Sequence, residues 1–143
     1  MSSSTAQSRQ FIEDCLNALS GQPKTDELVA RLVSDPSLVE HIRQVEAAFP
    51  AYELIVQQLI AEGDLVAMRS TFRGVHQGAF AGIEPTHKAV SADLMIFYRL
   101  GDGRIAEHWL QMDMAALVAQ LTRPTDLRRG VELPNQAALV NAS

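Results

Sequence analysis

The chain has 143 residues, of which 47% are hydrophobic and 20% are charged, and its formal net charge is −5. These values are typical of a soluble globular chain with one substantial core, and the negative charge argues against nonspecific binding to nucleic acid. No apolar run approaches the roughly 20 residues that a membrane-spanning helix needs, and the N-terminal segment lacks the apolar core of a signal peptide. We therefore expect a cytoplasmic protein that binds neither membranes nor nucleic acid.

Apolar residues recur at helical spacing through the first third of the chain. Three helices are predicted from this spacing, over residues 6–20, 25–33 and 35–49. Gly21 is a suitable C-terminal stop for the first helix, and either Thr25 or Asp26 can cap the second. Asp35 followed by Pro36 is typical of the start of the third helix, since proline suits the first helical turn.

From Tyr52 onward the apolar period changes from about 3.6 residues to about 2, which is typical of β-strands. Four strands are predicted, over residues 52–61, 65–76, 88–100 and 104–112. Tight turns join the first strand to the second and the third to the fourth, and the loop between these two pairs is rich in glycine and proline. A short helix over residues 113–121 is predicted to follow the last strand.

Helices followed by consecutive antiparallel strands predict an α+β fold. We expect one domain over residues 1–121, in which a cone-shaped, curved antiparallel sheet wraps around the N-terminal helices and encloses a pocket. Residues 122–143 show little periodicity and are predicted to form an extended C-terminal tail.

The fourth strand and its end contain the densest group of candidate site residues. Alternation along this strand places Trp109, Gln111 and Asp113 on one face. His108 lies on the other face, so a pocket that contains both His108 and Asp113 requires a bulge near Leu110. Local sequence favours Asp113 as the cap of the following helix. In a poorly hydrated pocket the same carboxylate would be a base able to remove a proton from carbon beside a carbonyl group.

Histidines supply the other candidate catalytic groups. His108 can polarise a carbonyl group, although a lone histidine on a strand is more often packed in the core or exposed. His76 lies where the second strand meets its loop, at the rim of the predicted pocket, and the alternative is a loop histidine bonded to nearby backbone. His41 lies in a polar helical stretch and His87 in a turn, so both are predicted to be exposed.

The sequence carries no motif for a metal or a cofactor. His76, His87 and His108 lack the short paired spacing of zinc sites, and no HExxH pair occurs. Neither GxGxxG nor GxxxxGK[ST] occurs, and no serine has a GxSxG context. Cys15 is the only cysteine and lies on the apolar face of the first helix, which argues against nucleophilic catalysis. We therefore expect neither a metal nor a cofactor.

Two segments resemble a known family. They read GVHQGAFAGIEPTHKAV, over residues 74–90, and MIFYRLGDGRIAEHWLQMDMAALVAQL, over residues 95–121. Both are similar to the SnoaL-like polyketide cyclases, or ester cyclases, of the nuclear transport factor 2-like superfamily. The likeness runs from about Pro36 to Leu121, and its EHWxxxD spacing is specific. The chain departs from the family pattern at Val75, where the family has threonine, and at His87, where it has glycine.

The resemblance implies a cone-shaped, cystatin-like α+β barrel that forms a homodimer. It also implies cofactor-free closure of a ring by intramolecular aldol condensation, on a small apolar, polyketide-like or ester substrate. Asp113, at the aspartate of EHWxxxD, would be the general acid and base, with His108 and His76 as further candidate catalytic residues. The expected substrate contacts are Met68, Phe72, Phe80, Met95, Trp109 and Gln111.

Two other functions are compatible with the same pocket. A binding protein would hold a small apolar ligand without chemistry, and an Asp113 side chain occupied in capping its helix would favour that function. An epoxide hydrolase or isomerase-like enzyme would need a second polar group beside Asp113 to hold a water molecule. Gln111 and Asp93 are the candidates for that second group.

Overall fold

The computed structural model describes residues 2–123 and contains four helices and four strands within that range. In chain order the elements are α1 (Ser2–Leu19), α2 (Asp26–Leu32), α3 (Pro36–Ala48), β1 (Glu53–Glu62), β2 (Leu65–Val75), β3 (Ala89–Gly101), β4 (Arg104–Met112) and α4 (Met114–Thr122). The predicted α+β class and the order of the elements are confirmed. Helix α1 begins earlier than predicted because its first turn is polar and has no apolar periodicity. The predicted tail lies outside the described residues from residue 124 onward.

Side-chain caps set the starts of α2 and α3. Thr25, rather than Asp26, caps α2, since its hydroxyl accepts a hydrogen bond from the Leu28 amide at 3.2 Å. Asp35 caps α3 by accepting from the amide of Ser37 at 3.0 Å, and Pro36 occupies the first helical turn. The proline has no amide proton to satisfy at that position, so the start of α3 is determined by these adjacent residues.

The four strands form one antiparallel sheet in the order β1-β2-β3-β4. The inner face packs against α1. In β1, the register of pairing with β2 shifts between Val56 and Gln58, which marks a bulge or similar irregularity. Bulges of this kind bend a strand and increase its twist, which helps the sheet curve around the helices. The core residues of this inner face include Val66, Phe72 and Ile96.

The loop between β2 and β3 is attached to the end of α3. The amides of Gln77 and Gly78 both donate to the carbonyl oxygen of Ala48, at 2.9 and 3.1 Å. Phe80, further along the loop, packs edge-on against Phe49 with ring centroids 5.2 Å apart. The loop therefore closes over one end of the space between the sheet and the helices.

No helix among residues 2–123 combines the length and the apolar character needed to cross a membrane.

Candidate active site

A cavity of about 630 Å³ lies between the inner face of the sheet and the helices. Its wall is mainly aliphatic and aromatic, with Leu16 from α1, Ile42 from α3, and Leu94 and Leu110 from the sheet. Phe80 adds an aromatic side chain from the loop between β2 and β3. The volume and apolar wall are typical of sites that hold a small molecule, with a few polar groups to orient it.

Lys24 is a polar group on this wall, and its ammonium group is held by the protein itself. Its Nζ donates to the carbonyl oxygens of Gln22 and Tyr52, at 2.8 Å each. It also lies 3.5 Å from Oε1 of Glu46 and 4.0 Å from the centroid of the Tyr52 ring. Burial lowers the pKa of Lys24, and the carboxylate of Glu46 opposes that shift. These contacts join the end of α3 to the start of β1. The ammonium group of Lys24 therefore has a structural role.

Tyr52, Tyr98 and Cys15 also line the cavity. Burial raises the pKa of Tyr52, with smaller contributions from Tyr98 and Glu46, and burial together with Cys15 raises the pKa of Tyr98. Burial, with a smaller contribution from Asp14, raises the pKa of Cys15 to about 12. The two phenols are therefore protonated near neutral pH and can donate hydrogen bonds to an oxygen atom of a ligand.

His41 lies on the wall of the cavity, on α3, and is half-buried. This placement corrects the expectation that it is exposed. Its charged neighbours Glu40 and Arg43 are exposed, whereas His41 belongs to the side of α3 that flanks the cavity. Burial lowers the pKa of His41, and electrostatic interaction with His108 lowers it further.

His108 and Asp35 form a pair behind the wall of the cavity. His108 lies opposite Tyr98 on the inner face of β4, and its Nδ1 is 2.8 Å from Oδ2 of Asp35. Burial alone would raise the pKa of Asp35, but hydrogen bonds from His108, Ser37 and Leu38 outweigh it and hold that pKa below its ordinary value of 3.8. An ionised carboxylate only accepts, so Nδ1 of His108 carries the proton of this bond.

Asp113 is the N-cap of α4, the role that its local sequence favours. Its Oδ1 accepts from the amide of Ala116 at 3.0 Å, and its side chain is exposed. Its two neighbours, Met112 and Met114, line the cavity, so Asp113 lies beside the wall without being part of it. Strand β4 pairs with β3 without a register shift from Glu107 to Met112, so the bulge needed to bring His108 and Asp113 together is missing there.

His76 is fully buried but does not line the cavity. Its Nδ1 accepts from the amide of Thr86 at 3.0 Å and lies 3.0 Å from the hydroxyl of the same residue. Burial lowers the pKa of His76, the backbone of Gly78 opposes the shift, and His87 adds to it. The side chain joins the two ends of the loop that carries Phe80, as expected for a loop histidine bonded to nearby backbone.

The six predicted substrate contacts separate into two groups. Phe72 and Phe80 line the cavity, and Met68 is buried on the same inner face without reaching it. Met95, Trp109 and Gln111 lie exposed on the outer face, which corrects the expectation that this face of the sheet borders the pocket. The physical reason is that the helices pack on the face that carries His108 and Leu110.

Sequence reasoning missed the polar wall groups His41, Tyr52, Tyr98 and Lys24, because their positions depend on contacts between distant segments.

A family model of SnoaL-like polyketide cyclases matches residues 8–121. The chain belongs to the SnoaL-like polyketide cyclase family. Solved structures agree with this membership. AclR, a candidate hydroxylase from Streptomyces galilaeus, is 28% identical with a TM-score of 0.71, over 97% of this chain and 95% of its own. IdmH, a candidate polyketide cyclase from Streptomyces antibioticus, is 25% identical with a TM-score of 0.66, over 80% of this chain and 98% of its own.

A third similar structure supports the fold alone. It is a candidate SnoaL-like polyketide cyclase from Jannaschia sp. CCS1, 17% identical with a TM-score of 0.74, over 85% of this chain and 96% of its own. The chain therefore has the nuclear transport factor 2-like α+β fold that the sequence resemblance implied. A search of the curated proteins found no significant match.

Proposed function

We propose that the protein catalyses cofactor-free acid and base chemistry on a small polyketide-like or ester substrate held in the cavity. The reaction would be an intramolecular aldol-type ring closure or a related proton transfer. The observation that carries this proposal is the apolar cavity of about 630 Å³ in a member of a cyclase family. A wall of this kind excludes water and strengthens the interaction of its few polar groups with a developing charge.

The proposed ring closure conserves every atom of the substrate. A base removes a proton from carbon beside a carbonyl group, and the electron pair of that C–H bond moves into the enolate. The enolate carbon then attacks a second carbonyl carbon of the same molecule and forms the new C–C bond. The resulting alkoxide takes up a proton. Phenol groups such as those of Tyr52 and Tyr98 suit the task of donating hydrogen bonds to the enolate oxygen.

We propose Asp113 as a base at the edge of the cavity, supported by its EHWxxxD position and by its neighbours Met112 and Met114 on the wall. His108 would position α3 through Asp35, and His76 would hold the loop that carries Phe80. Both histidines would then act on the site indirectly rather than by touching the substrate.

If Asp113 is the base, Asp113→Asn is expected to lower turnover about 100-fold, as is typical of losing a general base, with little change in stability because asparagine also caps helices. The probe is 2-tetralone, a bicyclic ketone, whose exchange of the C1 protons for deuterium is followed by NMR in D₂O. Asp102→Asn is the matched control, since Asp102 is exposed in the turn between β3 and β4 at φ 50°, a conformation that asparagine tolerates. An Asp113→Asn variant with the wild-type exchange rate would remove Asp113 from the mechanism.

The alternative is a binding protein that holds an apolar ligand without chemistry. The exposed side chain of Asp113 and its hydrogen bond to Ala116 favour this alternative. Saturable binding of 2-tetralone without any faster proton exchange in the wild-type protein would establish it. No observation favours epoxide hydrolysis, since Gln111 and Asp93 are both exposed on the outer face of the sheet.

We also propose that the protein is a homodimer formed through the outer face of its sheet. The support is a group of exposed apolar side chains on that face, where Ile60 is 65%, Met95 59%, Trp109 50% and Phe97 46% exposed. Phe97 and Trp109 are direct partners on neighbouring strands, so their rings form one continuous apolar surface. Exposed patches of this kind commonly mark interfaces between proteins.

Phe97→Asp is expected to convert the dimer to a monomer, because it would bury a carboxylate in the interface without a partner. Light scattering coupled to size-exclusion chromatography measures the mass directly. Ala18→Asp adds the same charge to an exposed position of α1 and should leave the mass unchanged. A wild-type protein that is monomeric at micromolar concentration would exclude the proposed dimer.

A further inference from the structure

The wall of the cavity carries five titratable side chains among the described residues. They are Cys15, Lys24, His41, Tyr52 and Tyr98. Asp113, His108 and His76 are not among them, although the sequence pointed to these three as the catalytic groups. A ligand inside the cavity therefore meets a different set of proton-exchanging groups from those that the sequence suggested.

Four of these five groups are poorly suited to exchange a proton near neutral pH. Burial raises the pKa of Cys15 to about 12 and raises the pKa values of Tyr52 and Tyr98 as well. The ammonium group of Lys24 is bound to two carbonyl oxygens and lies next to Glu46. Its protons are held in place by the protein, so it is not free to act as a base.

We propose that His41 is the catalytic acid and base inside the cavity, acting on a ligand that carries an acidic C–H group beside a carbonyl group. This inference rests on the proposed acid and base function. It assigns the proton transfer to His41 in place of Asp113, that is, to a residue on α3 that neither the EHWxxxD motif nor the family membership identifies. Its geometric basis is that His41 is the imidazole on the wall of the cavity.

The surroundings of His41 favour a neutral imidazole, which is the form that accepts a proton. Burial lowers its pKa from the ordinary value of 6.5, and electrostatic interaction with His108 on β4 lowers it further. His108 is itself bound to Asp35 at the start of α3, at 2.8 Å. On its own helix the nearest charged residues, Glu40 and Arg43, pair with each other at 2.7 Å and are exposed.

The reaction that follows uses His41 twice and needs no other reagent. The neutral imidazole takes the proton from the carbon, and the C–H electron pair forms the enolate, whose oxygen accepts hydrogen bonds from the phenols on the wall. The enolate carbon attacks the second carbonyl carbon, and the imidazolium returns the proton to the alkoxide. His41 ends in its starting form, and the product is an isomer of the substrate.

The test is the exchange of the C1 protons of 2-tetralone for deuterium by the full-length wild-type protein and by His41→Gln. The exchange rate with His41→Gln is expected to be about 100-fold lower than with wild type, a typical effect of removing a general base. It should still bind the apolar dye 1-anilinonaphthalene-8-sulfonate with affinity close to that of wild type. His87→Asn is the control, since His87 is an exposed histidine in the loop between β2 and β3 at φ 61°, a conformation that asparagine tolerates.

A pH profile separates a catalytic His41 from a structural one. Because the neutral imidazole is the base, the wild-type exchange rate should rise with pH to a plateau, with its inflection below pH 6.5, the ordinary pKa of histidine. This inflection should be missing from His41→Gln. With His41 as the base, Asp113→Asn should keep both the inflection and the wild-type exchange rate, whereas a 100-fold loss in Asp113→Asn with the wild-type rate in His41→Gln would place the base at Asp113. A wild-type profile without the inflection would overturn the inference even if His41→Gln failed to fold.

The outcomes also separate this inference from the proposed function. If wild type accelerates exchange and folded His41→Gln keeps that rate within twofold, His41 is not the base and the acid and base function stands. If wild type binds 2-tetralone without accelerating exchange, both the function and the role of His41 are overturned, and the protein is a binding protein.

Discussion

Asp35→Ala is expected to lower the free energy of unfolding by about 2–4 kcal/mol. Loss of a helix N-cap typically costs about 1 kcal/mol, and a buried donor left without its acceptor costs about 1–3 kcal/mol more. Asp35 serves both purposes, since one oxygen caps α3 and the other accepts from Nδ1 of His108 at 2.8 Å. Urea denaturation followed by circular dichroism measures the loss.

Asp35→Asn separates the two contributions, because asparagine caps helices nearly as well but carries no charge. The pH dependence provides a second readout. The folded state holds the pKa of Asp35 below its ordinary value of 3.8, so its stabilisation is complete above pH 3.8 and is lost as the pH falls through the lower folded value. Wild type should lose this stability in that acidic window and Asp35→Ala should not. Equal acid sensitivity of the two proteins would contradict the assigned ionised carboxylate of Asp35.

Gly78→Ala is expected to destabilise the protein by about 2–3 kcal/mol and to weaken ligand binding, since overpacking forces the backbone apart. A Cβ at residue 78 would lie 2.2 Å from the carbonyl oxygen of Ala47, far inside van der Waals contact. The clash is with backbone, so no side-chain rotation relieves it. The Gly78 amide donates to Ala48, and moving it away would also displace Phe80 from the wall of the cavity.

Thermal denaturation and titration with 1-anilinonaphthalene-8-sulfonate measure the two effects of Gly78→Ala. Gly101→Ala is the matched control, because its Cβ would meet only the Cβ of Ala106, at 3.4 Å. That variant should unfold within about 0.5 kcal/mol of wild type, as is usual for substitutions away from special features. Wild-type stability in Gly78→Ala would show that the loop does not pack closely on the end of α3.

Most helix and strand limits of this protein, apart from the start of α1, could be predicted from its sequence because they depend on interactions within a few residues. Helix α3 begins at Pro36 because the side chain of Asp35 accepts a hydrogen bond from the amide of Ser37, two residues along the chain. Alternation along β3 and β4 also separated the two faces of the sheet correctly, since side-chain direction in a strand is set by the backbone. The identity of the cap of α2 was left open between Thr25 and Asp26, and the structure decided it.

The face of the sheet that encloses the pocket could not be predicted in the same way. The outer face of β4 carries Trp109 and Gln111, which look like residues of a binding site when the strand is considered alone. The choice of face depends on where the helices pack against the whole sheet, and Leu110 and Met112 lie on the side they cover. Alternation shows that two faces exist but contains no information about which one is covered.

The sequence by itself determined the order of the helices and strands, most of their limits, the start of α3 at Asp35 and Pro36, and the presence of Asp113 at a helix start. Only the tertiary structure placed His41 on the wall of a cavity and paired His108 with Asp35, a residue 73 positions away along the chain. The physical reason is the range of the interactions. Caps, turns and strand alternation act between near neighbours, whereas a cavity and the groups on its wall exist only after distant segments have packed together.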